Sequence, residues 1–184
     1  ASHLLAIHTP PFRGEALASV AAVSRMEIVS RTEGADAFSL ACEGGALGEV
    51  LPAAGAQGTV VTVDDLFYNV PARLKFLKSD TQEEADIGGV MARFLLARPE
   101  ISFTYLADGK VKYRSFGDGL AAAVVAVYGA NTLENCLEIR AEKHGIKLYG
   151  FLGNRNFYKA NRTYQSLFVN GRSVVNQTVG AAVT

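Results

Sequence analysis

The stretch Phe12-Arg13-Gly14-Glu15-Ala16-Leu17-Ala18-Ser19-Val20 decides the fold of this chain. Pro10 and Pro11 precede it, and since a residue before proline is disfavoured in the α region, no regular helix is expected upstream. Gly14 gives the backbone freedom at a tight turn. The small apolar residues that follow favour a helix over about residues 14–24. The pattern therefore predicts a glycine-bearing loop that leads into a short helix.

A loop of this kind can bind phosphate at the start of its helix. The first N–H groups of a helix have no partner within the helix, and the helix dipole adds partial positive charge there. Glu15 suits the first turn through the same dipole, although its carboxylate must turn away from a bound phosphate. An ordinary capped core helix is the alternative, and a short motif alone does not separate the two.

A second stretch, Gly58-Thr-Val-Val-Thr-Val-Asp-Asp-Leu-Phe-Tyr-Asn-Val-Pro-Ala-Arg73, follows further along the chain. The β-branched run Thr59–Val63 predicts a strand buried in the centre of a sheet. Asp64 and Asp65 suggest a metal site or a general base. Aspartates after a strand more often cap or form a turn, however, and two oxygen ligands make a poor magnesium site.

Together the two stretches resemble the MutL family of DNA mismatch-repair ATPases, within the superfamily of gyrase, Hsp90, histidine kinases and MutL (GHKL). The family reads Gly-Phe-Arg-Gly-Glu-Ala-Leu, then Gly-Thr before a strand, then Asp-Leu-Phe-Tyr-Asn-x-Pro-Ala-Arg. This sequence matches every position except the first glycine, where Pro11 stands and offers no N–H. A further family motif matches Phe168-Val-Asn-Gly-Arg172, and the resemblance covers essentially the whole chain.

The resemblance implies an α+β fold in two parts. Residues 1–116 would form an incomplete GHKL-type α/β sandwich, the C-terminal part of the ATPase domain. Residues 117–184 would begin a βαβ transducer domain, related to gyrase B and to a ribosomal-protein fold. Gly117-Asp118-Gly119 interrupts the pattern on both sides and is the expected junction.

Periodicity and turn residues predict the individual elements. Helices are expected at Pro71–Leu77, from an N-cap at Asp80 to just before Pro99, at Leu120–Tyr128 and from Val174 onward. Strands are expected at Met26–Thr32, Ala37–Cys42, Ala46–Leu51, Ile101–Leu106, Lys110–Ser115, Cys136–Lys143, Ile146–Leu152 and Tyr164–Val169.

The resemblance also implies the nucleotide-binding residues. In the family, the backbone of the Arg-Gly-Glu-Ala-Leu loop meets the triphosphate of ATP, and the Gly-Thr pair lies on the adenine side. Gly58 read by itself is equally a strand-entry glycine. Mg²⁺ would accompany ATP in the full-length parent. The implied residues are Arg13, Gly14, Glu15, Ala16, Leu17, Gly58 and Thr59.

No catalytic residue or metal ligand is expected in this sequence. The family's upstream helix supplies the glutamate that activates water and the asparagine that holds Mg²⁺, and neither has a counterpart here. The P-loop pattern Gly-x-x-x-x-Gly-Lys-Ser/Thr and the hydrolase patterns Gly-x-Ser-x-Gly and His-Glu-x-x-His do not occur. Since phosphoryl transfer needs a positioned metal and an oriented water, this stretch by itself is expected not to hydrolyse ATP.

The charge distribution points to a nucleic acid. Residues 1–142 carry a net charge of −6, whereas residues 143–184 contain six Lys or Arg and no acid. Aromatic residues alternate with these cations and are expected to fill the sheet core. The cations predict contacts with the DNA backbone, with solvated side chains as the alternative. The candidates are Arg155, Lys159, Arg162 and Arg172.

Composition limits the remaining classes. Hydrophobic residues make up 49% and charged residues 20% of the 184, enough for a packed core. The longest apolar run, Leu120–Tyr128, is far too short for a membrane span. Cys42 and Cys136 show no metal or disulfide spacing and are expected as two buried free thiols in a reducing cytosol.

The leading hypothesis is a MutL-type repair protein. It would be an ATP-binding and ATP-hydrolysing, DNA-binding switch that couples mismatch recognition by a MutS-type partner to strand removal. A homodimer joined by nucleotide-dependent N-terminal contacts is expected, in the bacterial cytoplasm at the nucleoid. The alternatives are a non-catalytic DNA-binding or partner-docking module and another GHKL ATPase, such as a type II topoisomerase subunit.

Overall fold

The computed structural model describes residues 15–157 and 164–182. These residues form two compact units, of which the first ends at Lys78 and the second begins at Ser79. Both units contain helices and antiparallel strands, so the predicted α+β class is confirmed. The domain boundary predicted between residues 116 and 117 stays a prediction.

The first unit is built on one antiparallel sheet. Its four strands lie side by side in the order β3-β2-β1-β4. The elements of this unit are α1 (Ala16–Ala21), β1 (Arg25–Arg31), β2 (Ala37–Glu43), β3 (Ala46–Ala53), β4 (Gly58–Asp64) and α2 (Pro71–Leu74).

The core of the first unit lies where α1 meets one face of this sheet. Met26 of β1 lies opposite Cys42 of β2 and Val63 of β4, so the three side chains share a face. Ala21, Met26 and Cys42 are buried there, and Ile28 packs against them. The core is small because α1 is short, and Ala21 is the helix residue that it buries.

Strand β4 contradicts one prediction. The run Thr59–Val63 was expected in a buried, central strand, but β4 lies at the edge of the sheet and all seven of its residues are exposed. The prediction was wrong because β-branched residues favour a pleated backbone wherever the strand lies. The run therefore predicted a strand correctly and its position incorrectly.

The second unit contains three two-stranded antiparallel sheets and four helices among its described residues. Helix α3 is the longest helix among the described residues, with eighteen residues, and it precedes the first hairpin of the unit. The elements are α3 (Asp80–Ala97), β5 (Ser102–Ala107), β6 (Lys110–Phe116), α4 (Leu120–Tyr128), α5 (Ala130–Glu134), β7 (Cys136–Lys143), β8 (Ile146–Gly153), β9 (Leu167–Val169), β10 (Arg172–Val174) and α6 (Gln177–Ala182).

Helix α4 is at the centre of the second core. Ala123 and Val124 of α4 are buried together with Leu96 of α3. Phe151 and Phe168 pack against this cluster, so the prediction that aromatic residues fill the core is confirmed for these two. Tyr164 is exposed to 43%, contrary to that prediction, and Tyr158 lies outside the described residues. The apolar run that was too short for a membrane span is therefore a core helix. Among the described residues, no helix combines the length and the apolar character needed to cross a bilayer.

Several element ends differ from the predictions. The first helix has six residues, since Ala22 already forms its C-terminal cap. The N-cap of α3 is Ser79 rather than Asp80, which lies in the first turn. Val174 ends β10 rather than starting a helix, which begins at Gln177. Helix α5 was not predicted because its five residues are too few to show a period.

Both cysteines are free, as predicted, but only Cys42 is fully buried. Cys42 is buried in the first core, and Cys136 at the start of β7 is partly buried. Loss of solvent around Cys136 raises the pKa of its thiol, because burial disfavours the thiolate. The thiol therefore stays protonated and weakly reactive at neutral pH.

Candidate functional site

Three of the predicted phosphate-binding residues, Glu15, Ala16 and Leu17, lie at the start of α1. Glu15 is the N-cap residue of α1, with φ −97° and ψ −1°, and no side-chain hydrogen bond caps the helix among the described residues. Ala16 and Leu17 form the first turn and are exposed, Leu17 to 53%. The N–H groups of a first turn have no partner inside the helix. Arg13 and Gly14 lie outside the described residues.

The predicted adenine-side residues open β4. Gly58 has a φ of +128°, a conformation that side chains rarely adopt, so glycine is required there by the backbone alone. Thr59 lies opposite Ser30 of β1, and the two hydroxyl oxygens are 2.8 Å apart. The strand-entry interpretation of Gly58 thus has direct structural support, alongside the predicted binding role.

Strand β1 connects the two predicted sets of nucleotide-binding residues, which lie at different positions along it. Helix α1 leads directly into β1, and Gly58 lies opposite Arg31, the last residue of β1. Arg25, the first residue of β1, is at the end near α1. Gly58 and Thr59 are therefore at the end of β1 that is remote from the α1–β1 connection.

Four consecutive carbonyl groups fix the connection between α1 and β1. Residues 21–24 each offer a backbone oxygen to a donor from a turn elsewhere in the unit. We call this set of hydrogen bonds the α1 anchor. In chain order, the carbonyls of Ala21, Ala22, Val23 and Ser24 accept from Gly45 N, Asn69 Nδ2, Phe67 N and Gly44 N, at 3.0, 3.0, 2.6 and 3.0 Å.

The donors of the α1 anchor come from two turns. Gly44 and Gly45 form the turn between β2 and β3, and Phe67 and Asn69 belong to the turn that follows β4. Ser24 is fully buried, and its hydroxyl donates to the carbonyl of Val20 at 2.8 Å. The carbonyls of residues 21–24 and the Ser24 hydroxyl are thus all paired, as a buried backbone requires.

Arg25 holds the second of these turns against the sheet. Its Nε donates to Glu43 Oε1 at 3.0 Å, and its Nη1 donates to Asp65 Oδ2 at 2.5 Å. Its guanidinium also lies 4.6 Å from the centre of the Tyr68 ring, within the range of a cation–π contact. Hydrogen bonding first to Asp65 and then to Glu43 raises the pKa of Arg25, so this side chain stays charged.

The turn after β4 is strained and needs this support. Asp65 and Phe67 have φ angles of 51° and 67°, in the left-handed region that residues other than glycine rarely occupy. Tyr68 N donates to Asp65 O at 3.0 Å within the turn. Arg25 was not singled out in the sequence, because its partners are distant along the chain and nothing local marks it.

Asp64 and Asp65 do not form a metal centre in the described part of the chain. Asp65 pairs with Arg25, which occupies one of its carboxylate oxygens. Within residues 15–157 and 164–182, no three side chains among His, Cys, Asp and Glu are grouped so that they could hold a metal ion. Asp65 therefore contributes to the turn.

The predicted DNA-binding residues are only partly within the described chain. Arg155 lies in the turn after β8 and Arg172 opens β10, and both are exposed. Lys159 and Arg162 lie outside the described residues. Two further cations of the basic segment, Lys143 and Lys147, are on the β7–β8 hairpin, where Lys147 lies opposite Glu142.

A groove beside this hairpin has mixed charge. It encloses about 880 Å³ between the start of α4 and the β7–β8 strands. Its lining includes Asp118, Glu142 and Lys147, together with Arg140, which is paired with Glu138 at 2.7 Å. With acids at least as numerous as cations, this groove is a poor surface for DNA phosphates.

Comparisons with known proteins identify the family. The MutL protein of Caulobacter vibrioides is 43% identical over 98% of this chain, and that of Streptococcus pneumoniae is 40% identical over 98%. The chain belongs to the MutL family of DNA mismatch repair proteins. It spans about 30% of the length of these relatives. A family model described as the C-terminal domain of DNA mismatch repair protein matches residues 124–184 of this MutL-family chain.

Solved structures confirm the predicted MutL-type fold. The MutL ATPase domain of Aquifex aeolicus complexed with ADP has a TM-score of 0.78 at 28% identity, covering 91% of this chain and 65% of that one. Another structure of the ATPase domain from the Aquifex aeolicus MutL endonuclease has a TM-score of 0.74 at 26% identity, covering 95% of this chain and 66% of that one. These likenesses support the MutL hypothesis and not the topoisomerase alternative.

The close contacts around Gly44 in the α1 anchor predict that a side chain there lowers the free energy of unfolding more than at an open glycine. A Cβ there would lie 2.8 Å from Tyr68 Oη and 3.1 Å from Asn69 Nδ2, at a φ of +56°. Gly34 has a similar φ of +72° with nothing within 4 Å of a Cβ, and is the matched control. We expect Gly34→Ala to lower the free energy of unfolding by about 1 kcal/mol, and Gly44→Ala by about 2–4 kcal/mol, because overpacking adds to the strain.

Urea unfolding followed by circular dichroism measures both changes. The difference between the two variants isolates the contact with Tyr68 and Asn69. Equal losses of stability in Gly34→Ala and Gly44→Ala would show that the turn after β4 does not press against the Gly44 backbone.

Proposed function

We propose that this chain forms part of the nucleotide site of a MutL-type mismatch-repair ATPase. In the full-length protein, ATP binding and hydrolysis would switch a DNA-bound dimer that couples mismatch recognition to strand removal. The likeness to the ADP-complexed MutL ATPase domain of Aquifex aeolicus, at 28% identity over 91% of this chain, carries the proposal. The curated relatives are bacterial, and we place the protein in the bacterial cytoplasm at the nucleoid.

The open first turn of α1 supports a role in phosphate binding. Glu15, Ala16 and Leu17 are exposed, and no side chain competes for their N–H groups among the described residues. We assign phosphate contacts to the backbone of these residues and of Arg13 and Gly14, which precede them in the motif. An uncapped helix start suits an anion because its amides and its dipole both favour negative charge.

Gly58 and Thr59 would bound the adenine side of the site. Thr59 is exposed at the edge strand, and its hydroxyl shares a hydrogen bond with Ser30 that fixes the side chain. The Thr59 hydroxyl can form a second hydrogen bond, to a ligand, because a hydroxyl has one donor and two acceptor positions. We therefore assign Thr59 a hydrogen-bonding role and Gly58 the role of letting the strand begin close to the base.

The described residues do not fit a magnesium site. No suitable group of three ligating side chains lies in the described part of the chain, so we assign no Mg²⁺ ligand and no catalytic step to it. What these residues supply is the binding and orientation of the phosphates.

A charge at Leu17 tests this assignment. Leu17 is 53% exposed in the first turn, so its replacement removes little packing. An acid is tolerated by the dipole at this position, but a carboxylate close to a triphosphate repels it. We expect Leu17→Glu to weaken binding of a non-hydrolysable ATP analogue about tenfold in the full-length protein.

Leu17→Gln is the control, because it has the same shape as Leu17→Glu without the charge. We expect this variant to bind the analogue as the wild type does, in a titration at neutral pH. Equal affinities of the Glu and Gln variants would place the phosphates away from the first turn of α1 and would contradict the proposed site.

DNA and a MutS-type protein are the proposed macromolecular partners, with a homodimer formed through nucleotide-dependent N-terminal contacts. Of the four predicted DNA-binding residues, Arg155 and Arg172 are described, and both are exposed cations of the segment that contains no acid. Phosphate contacts from such residues are salt-dependent, because each releases a counterion from the DNA. Lys159 and Arg162 remain further candidates for the same surface.

A salt titration of DNA binding tests the cationic surface. If Arg155 and Arg172 each contact a phosphate, Arg155→Gln with Arg172→Gln lowers the slope of log affinity against log salt by about 1.8, at about 0.9 per contact. Arg140→Gln is the control, since Arg140 is exposed and already paired with Glu138. Fluorescence anisotropy with duplex DNA measures the slope, and an unchanged slope in the double variant removes both residues from the DNA surface.

A further inference from the structure

We propose that Asn69, supported by Arg25, is a positioning residue for the nucleotide phosphates. Its side chain fixes the C-terminal end of α1, so that the amides at the other end of this helix face the ligand. This inference rests on the proposed nucleotide site at the first turn of α1. It adds two residues that do not touch the phosphates and act through the orientation of the helix.

Helix α1 cannot fix its own orientation. It has six residues, which is well below the length at which a helix is stable by itself in water. Residues 15–19 are exposed, and Ala21 is the helix residue buried in the core. The packing of α1 on the sheet is therefore slight, and its direction depends on the hydrogen bonds at its C-terminal end.

Asn69 has a special place among these hydrogen bonds. Of the four donors in the α1 anchor, those of Gly44, Gly45 and Phe67 are backbone N–H groups. Asn69 alone of the four donates through a side chain, to the carbonyl of Ala22 at 3.0 Å. Ala22 is the C-cap residue of α1. A substitution can consequently remove this one bond and leave the other three donors in place.

Arg25 supports the turn that presents Asn69. It joins Glu43 at the end of β2 to Asp65 at the start of the turn, and it stacks on Tyr68, the neighbour of Asn69. The turn contains left-handed backbone at Asp65 and at Phe67. Such conformations persist only where surrounding contacts hold them. Arg25 therefore keeps the Asn69 amide within reach of α1.

A change in the direction of α1 would move the amides that are proposed to bind phosphate. The amides at the start of α1 lie about 9 Å from its end, at 1.5 Å per residue. A tilt about the C-terminal end moves the first turn furthest and the core residues least. Since a displacement of about 1 Å can remove most of the benefit of an aligned contact, loss of the Asn69 bond should weaken phosphate binding more than it weakens the fold.

Three variants separate the proposed positioning role of Asn69 from an effect on the stability of the fold. Asn69→Asp keeps the shape of the side chain but places a carboxylate oxygen against the Ala22 carbonyl. Arg25→Lys keeps the charge and loses the planar fork that joins two carboxylates and stacks on a ring. Arg140→Lys is the matched control, because Arg140 is exposed and pairs with Glu138 at 2.7 Å within the second unit, where no residue is assigned to the nucleotide site.

The measurement compares a ligand with phosphates and one without. Affinities of the full-length protein for a non-hydrolysable ATP analogue and for adenosine are measured by titration, at a temperature where circular dichroism shows each variant folded. We expect Asn69→Asp to weaken the ATP analogue about tenfold or more and to leave adenosine unchanged. Arg25→Lys should give a smaller loss of the same kind, and Arg140→Lys should change neither affinity.

The outcomes distinguish this inference from the proposed function. If Asn69→Asp changes both ligands equally or neither, while the wild type binds the analogue, Asn69 has a structural role alone and the positioning role is refuted. If the wild type itself binds neither ligand, the proposed nucleotide site fails and the positioning role falls with it. That failure is recognised from the wild type, before any variant is compared.

Discussion

Four adjacent backbone carbonyls between α1 and β1 must find hydrogen-bond donors, and the first unit is arranged so that they do. Unpaired carbonyls in a connection that is partly buried would cost free energy comparable to the lost bonds. The donors come from the turn after β2 and from the turn after β4. Both turns are thereby held beside the end of α1, and the sheet that joins them is fixed in register.

The need to pair these carbonyls explains the motif Asp65-Leu-Phe-Tyr-Asn-Val-Pro-Ala-Arg73 better than direct contact with a ligand does. Asp65 pairs with Arg25, Phe67 donates its amide to Val23, and Asn69 donates its side chain to Ala22. Each of these residues acts on the connection that follows the predicted phosphate loop. The two stretches that carry the family resemblance are therefore parts of one structure, in which the second holds the end of the first.

The sequence predicted the bounds of an element best where a glycine marks both of its ends, and less well where one end is unmarked, as in α1 and α2. Helix α4 was predicted with both ends correct because Gly119 and Gly129, at φ of 95° and 88°, stop the helix on either side. The position of β4 could not be predicted, because strand order depends on pairing between distant segments. Arg25 was missed for the same reason, since Glu43, Asp65 and Tyr68 meet it only in the folded chain.

Native-state hydrogen exchange at the amides of Gly44, Gly45 and Phe67 tests the α1 anchor most directly. Our account predicts that all three exchange slowly and at similar rates, comparable to the paired amides of β1, because they open together when α1 detaches. Exchange at the rates of an unstructured peptide, as turn residues without such bonds would show, would contradict it.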